Sequence, residues 1–110
     1  MANVFKNSIT GSIGTTGVTV YTTPAATTTT IIGVNVANVN SNNISVSCML
    51  RDNSANKTVY LVKDTLVPPG SSTVLVGGDQ KVVMEASDFL SVTSSLANSV
   101  DVIVSALELS

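Results

Sequence analysis

A chain of 110 residues with five basic and seven acidic side chains, no histidine, no tryptophan and one cysteine has few ways to do covalent chemistry. Without histidine there is no imidazole general base, no Ser-His-Asp triad and no histidine metal site, and one cysteine provides neither a zinc cluster nor an internal disulfide. The basic residues Lys6, Arg51, Lys57, Lys63 and Lys81 are scattered, so no stripe neutralises phosphates, and two tyrosines and two phenylalanines are a poor base-stacking platform; nucleic acid is not an expected partner.

The charged fraction, 11%, lies well below the roughly 25% of an average soluble protein, while the hydrophobic residues are mostly Val, Ile, Leu and Ala and the polar remainder is dominated by Thr, Ser and Asn. Branched side chains suit a pleated surface, and Ser, Asn and Gly suit turns. Such a surface, poor in charge and rich in hydroxyls, suits a protein that hides much of itself in an assembly. No apolar run approaches the roughly 20 residues that span a bilayer, so no membrane partner is expected.

The opening "MANVFKNSIT" lacks a basic segment followed by an apolar one, so no signal peptide is expected and synthesis in the cytoplasm follows. "SITGSIGTTG" is rich in Gly, Ser and Thr, and residues 1–16 are expected to form an irregular arm ahead of a domain over 17–110. Its "GSIGTTG" lacks the Gly-Lys-Ser/Thr ending of a phosphate-binding loop and precedes a strand rather than a helix. "GVTVYTT" alternates, with Val18 and Val20 on one face and Thr19 and Tyr21 on the other, and Pro24 ends it.

The threonine run that follows is too stiff for a linker, because the branched Cβ favours extended backbone. Ile32, Val34 and Val36 alternate with Gly33, Asn35 and Ala37, so residues 28–38 predict one strand with a polar start. "VNSNN" turns the chain. "ISVSCMLRD" then places Ile44, Val46, Cys48 and Leu50 inward, with Cys48 as a buried structural thiol. "DNSAN" loops back into "KTVYLVKD", which predicts a hairpin.

"VPPGSS" is a turn in which Gly70 supplies a positive φ if the turn is type II. The segments "STVLV", "KVVMEA", "FLSVTSS" and "VDVIVSALEL" read as further strands separated by "GGDQ", "ASD" and "LANS". In the last strand Val100, Val102, Val104 and Ala106 share a face. Only "QKVVMEASDFL" is compatible with a helix, and its paired valines and flanking strands weigh against one. Seven to nine short strands at regular spacing predict an all-β protein: a single antiparallel β-sandwich, jelly-roll or immunoglobulin-like.

Carboxylates are the remaining candidates for chemistry. Asp79, Glu85 and Asp88 lie close in sequence, and Asp52 sits among amides, but neither group has the spacing of a calcium loop. They read as solvated turn residues. Asn43-Ile44-Ser45 and Asn56-Lys57-Thr58 fit the glycosylation sequon, and without a leader they read as accidental. The expectation is a non-enzyme with no catalytic, cofactor-binding or metal residues.

The stretch "VPPGSSTVLVGGDQKVVMEASDFLSVTSSLANSVDVIVSALEL" resembles small virion structural proteins of tailed phages, marine and cyanobacterial ones especially. "GVTVYTTPAATTTTIIGVNVANV" fits the same pattern, so the resemblance spans nearly the whole chain. It implies a capsid decoration (cement) protein of the virion that binds the major capsid protein or other virion proteins and stabilises the assembled head. It also implies a homo-oligomer, a trimer by preference. A neck, tail or fibre-base subunit is the alternative, and a carbohydrate-binding adhesin module is a third reading, which the few aromatics disfavour. No functional residue is carried over from the resemblance.

Overall fold

The computed structural model describes residues 3–77 and 80–110, which form nine strands and no helix. The strands are β1 (Asn3–Ile13), β2 (Val18–Thr22), β3 (Thr28–Asn38), β4 (Ile44–Asp52), β5 (Lys57–Val67), β6 (Ser72–Val76), β7 (Val82–Met84), β8 (Phe89–Ser94) and β9 (Val100–Leu109). One sheet has the order β1-β9-β3-β6, with β7 also on β3; the other has the order β2-β8-β4-β5. All recorded pairings are antiparallel.

The pairings nest. β4 pairs β5, β3 pairs β6 and β7, β2 pairs β8, and β1 pairs β9, with successive pairs in alternate sheets. This is the winding of a jelly roll, as if one long hairpin folded at β4–β5 were wrapped around the core. The immunoglobulin-like alternative keeps its first and last strands in different sheets. Here they are neighbours.

The core forms where the expected alternation puts it. Ile44, Val46 and Cys48 of β4, Leu90 and Val92 of β8, and Val100, Val102, Val104 and Ala106 of β9 are all buried. The turn after β5 is of type II: Ser71 N–H donates to Pro68 O at 3.2 Å, and Gly70 has φ 71°. A side chain at that φ would be strained.

The structure corrects the sequence reading in three places. Most of the expected irregular arm is strand β1, paired with β9 from Asn3↔Leu109 to Ile13↔Val100; Met1 and Ala2 lie outside the described residues. Simple alternation missed it because only Ile13 of its side chains is buried, so no apolar face marks it. The expected boundary at 16/17 falls in the loop between β1 and β2. Second, Ile32 is only half-buried: a bulge between Ile31 and Gly33 turns it off the core face, leaving Thr29, Ile31, Val34 and Val36 inside. Third, a register shift between Thr19 and Tyr21 lets Val20 and Tyr21 both point inward, where strict alternation separates them.

Burial pushes the Cys48 thiol up to about 11. The folded thiol keeps its proton to that pH, whereas an unfolded one releases it from about pH 9. Below that window both states hold the proton and the thiol adds no pH dependence. Through it the unfolded state is favoured, by up to about 3 kcal/mol at its top. Urea denaturation from pH 8 to 11 is therefore expected to show stability falling more steeply in the native chain than in Cys48→Ala, and Cys48 is expected to resist thiol reagents at neutral pH until the chain unfolds.

Candidate assembly surface

Along one antiparallel sheet, alternate residues face outward. On the β1-β9-β3-β6 sheet the outward set includes Phe5 and Ile9 of β1, each opposite a β9 residue, Leu107 and Ile103 respectively. Asn35 pairs Ile103 on the other side of β9 and also faces Val74 of β6. Thr30 of β3 faces Leu107 and Val83 of β7. Phe5 is 76% exposed, Ile9 72% and Val74 66%, and Ile103 and Val83 are exposed too. An outer face of this kind normally carries the polar half of the alternation.

β1 inverts the usual pattern. Its apolar Phe5 and Ile9 face solvent, while Lys6, Ser8 and Thr10 lie on the opposite side of the strand. The register is held by polar contacts beneath the strand. Lys6 Nζ lies 3.6 Å from Glu108 Oε1, and Ser8 Oγ donates to Val20 O of the opposite sheet at 2.6 Å. The buried Tyr21 hydroxyl donates to Glu108 Oε2 at 2.5 Å, so its 2.9 Å partner Thr29 Oγ1 must be the donor to it. Burial, then the Glu108 carboxylate, pushes Tyr21 up to about 12. A one-residue slip of β1 would put Phe5 and Ile9 underneath, but it would break these ties.

Three shallow grooves indent this face. The largest, about 300 Å³, runs beside Phe5, Asn7, Ile32 and Ser105. The others, about 190 and 170 Å³, lie on either side of Asn35 and Ile103, one bounded by Val74 and the other by Ile9. Among the described residues, the charged side chain lining the first is Lys6, and Asp101 lines one of the last two. The two smaller grooves are lined almost wholly by apolar surface, which suits apolar contact.

The carboxylates behave differently from their sequence reading. Folding brings Asp52, from the end of β4, to Glu85 and Asp88 of the β7–β8 connection, with one oxygen of each within 4.8 Å of the others. Asp79 lies outside the described residues. Asp88 is buried rather than solvated: its Oδ1 accepts from Asn53 N–H at 3.0 Å and its Oδ2 from Glu85 N–H at 2.9 Å. Asp52 Oδ1 accepts from Ala55 N–H at 3.0 Å and from Ser54 Oγ at 2.8 Å, which holds its carboxyl below the usual range. Three carboxylates could offer oxygens to a hard cation. Asp88 spends both oxygens on backbone amides of the two loops, Asp52 Oδ1 is held within its own turn, and Glu85 Oε1 meets the Ser54 hydroxyl at 3.4 Å, so Asp88 is a staple between two loops. Sequence distance concealed it, since 36 residues separate Asp52 from Asp88.

Two variants separate surface from staple. Phe5→Ser with Ile9→Ser is expected to leave the unfolding free energy from urea denaturation within about 0.5 kcal/mol of the native chain, as for exposed side chains generally. Asp88→Ala strands two backbone amides and is expected to cost about 2–4 kcal/mol in the same measurement.

No protein-family model matches the chain, and no curated protein matches it in sequence. Among solved structures it is similar to a chain of the Bacillus endospore appendages, a family of disulfide-linked pili, at 10% identity and a TM-score of 0.56, covering 98% of this chain and 88% of that one. It also overlaps a chain of the infectious bursal disease virus Gt strain at 8% identity and a TM-score of 0.48, covering 98% of this chain but 30% of the viral one. At 10% identity the first likeness is one of fold: a two-sheet sandwich matched along nearly its whole length.

Proposed function

We propose that this chain is a structural subunit of a phage virion, a decoration (cement) protein that binds the major capsid protein on the assembled head. The observation that carries the reading is the outer face of the β1-β9-β3-β6 sheet, where Phe5, Ile9, Ile103, Val74 and Val83 stand exposed on a rigid two-sheet support. Covering an exposed Phe or Ile contributes about 1.5–3 kcal/mol each, so one copy binds weakly and an array of copies binds firmly. A homo-oligomer, a trimer by preference, would present several such faces at once. The resemblance in sequence to tailed-phage virion proteins supplies the particle, and the low charge supports life in an assembly.

The fold likeness to an endospore appendage chain is compatible with service in a repeating structure. The disulfide linkage of those pili does not transfer. This chain has one cysteine, and it is buried.

Sedimentation with empty heads of the cognate phage tests the reading. The native chain is expected to pellet with mature heads but not with unassembled capsid protein, and Phe5→Ser with Ile9→Ser to lose most of that binding. A chain that stays in the supernatant with mature heads rules out the cement role. A few copies per particle, found at one vertex, would move it to the neck or tail.

A further inference from the structure

Strand β1 falls into three parts. None of the residues 3–10 has a buried side chain, and they pair with β9 in unbroken register from Asn3↔Leu109 to Thr10↔Val102. Gly11 and Ser12 then bulge out of the ladder before Ile13↔Val100. Ser12 has φ 56°, and its N–H donates to Asp101 Oδ1 at 3.0 Å. Beyond the bulge the chain is anchored. Ile13 is buried, its carbonyl accepts from Ser99 N–H at 3.0 Å, and the Gly14 carbonyl accepts from Ser94 N–H at 2.9 Å. An exposed strand, a two-residue irregularity and a fixed base follow one another within twelve residues.

The other edges of the sandwich are defended against strand pairing. β5 carries two register shifts against β4, has Asp64 at φ 54° and bears Lys57 and Lys63. β2 and β6 have five residues each, with a register shift in each pairing, and β7 has three. Bulges, short length and lysines are the usual means of blunting an edge. Residues 3–10 of β1 have no bulge and a single lysine, Lys6, and that lysine is turned toward Glu108. If these residues lift away, Ile13 stays in the core and β9 keeps its pairing with β3. What opens is the free edge of β9, flanked by Val102, Val104 and Ala106.

We propose that residues 3–10 of β1 are an exchangeable strand that leaves its own β9 and pairs with β9 of a second copy of this chain. The opened edge is already complementary to this segment, including Glu108 placed to receive Lys6, so a second copy restores every contact the first one gives up. Domain swapping of this kind asks little beyond a change of backbone angles at the hinge. Gly11 and Ser12 are the hinge. Eight extended residues reach about 26 Å, and the molecule measures 45 × 26 × 23 Å, so the strand spans the short dimension of a neighbour. Reciprocal exchange closes a dimer, and head-to-tail exchange builds a ring or filament.

Ser8 and Val104 lie directly opposite each other, and Val104 is fully buried. Directly opposed strand residues fall within disulfide range. A Ser8→Cys chain and a Val104→Cys chain, purified separately, are mixed, incubated at high concentration and gently oxidised. A disulfide heterodimer is expected in the mixture and absent from each chain alone. Contact between outer faces cannot produce it, because position 104 is reached only from beneath a β1 strand. Native Cys48, buried with its thiol pushed up to about 11, stays out of the reaction. The doubly substituted chain, oxidised when dilute, is expected to close within itself. Its failure to do so removes the β1–β9 pairing and overturns the proposal. Closure within one chain, with no heterodimer in the mixture at any concentration, overturns it as well. Should Val104→Cys weaken the core, Asn7→Cys with Ser105→Cys reads the same pairing at two positions outside it. The outcome is separate from the head reading: a chain that exchanges strands but does not pellet with heads keeps this proposal and loses that one.

Discussion

Strand β9 is the constraint on which the rest of the molecule depends. It is the last strand in the chain, yet it lies between the first and the third, with ladders to both. Its inner face supplies Val100, Val102, Val104 and Ala106 to the core, and Glu108 to the polar cluster beneath β1. Until β9 is in place, β1 has no partner strand and one wall of the core is open. Contacts such as Tyr21 with Glu108 join residues 87 apart in sequence. A fold closed by its two ends is a slow one to reach, because loop-closure entropy is spent before these contacts form.

Bulges decide what each face presents. One at Ile32 keeps the core continuous while pushing an isoleucine half out beside Phe5. Another turns both Val20 and Tyr21 inward, which brings the Tyr21 hydroxyl to Glu108. The irregularities in β5 bend an edge that would otherwise invite pairing, and Asp64 N–H finds Ser47 Oγ at 2.9 Å in compensation. A strictly regular sandwich of the same composition would lack the polar cluster that sets the register of β1.

The two outer faces differ in kind. On the β2-β8-β4-β5 sheet, Ser45, Ser47, Arg51, Ser91 and Thr93 occupy outward or half-buried positions, and Lys63 lies over the exposed Tyr60 ring at 5.2 Å. That face carries mainly hydroxyls and charges, and its exposed apolar side chains, Val59, Tyr60 and Leu66, all lie on the edge strand β5. On the opposite face they extend across the sheet, with Phe5 and Ile9 on β1, Ile103 on β9, Val74 on β6 and Val83 on β7. A protein with 11% charged residues cannot cover both sheets with ions, and the broader apolar surface lies on the β1-β9-β3-β6 side.

The class of the fold was legible in the chain because its core strands obey a period of two. Ile44, Val46 and Cys48, or Val100 to Ala106, can bury one face only as strands, and "VPPG" can turn only where Gly70 takes its positive φ. The threonine run was legible for a related reason: branched side chains extend the backbone, and Thr29 is indeed buried in β3. Strand β1 was not legible, because a strand held by its backbone ladder leaves no side-chain period to read. Nor were the meeting of Asp52 with Asp88 and the apolar face shared by Phe5, Ile103 and Val74, since each joins residues far apart in the chain. Local sequence determined which segments extend and where they turn. Only the tertiary structure decided the order of the strands, the register of β1 and the face left exposed, because those depend on pairings between distant segments that no local pattern encodes.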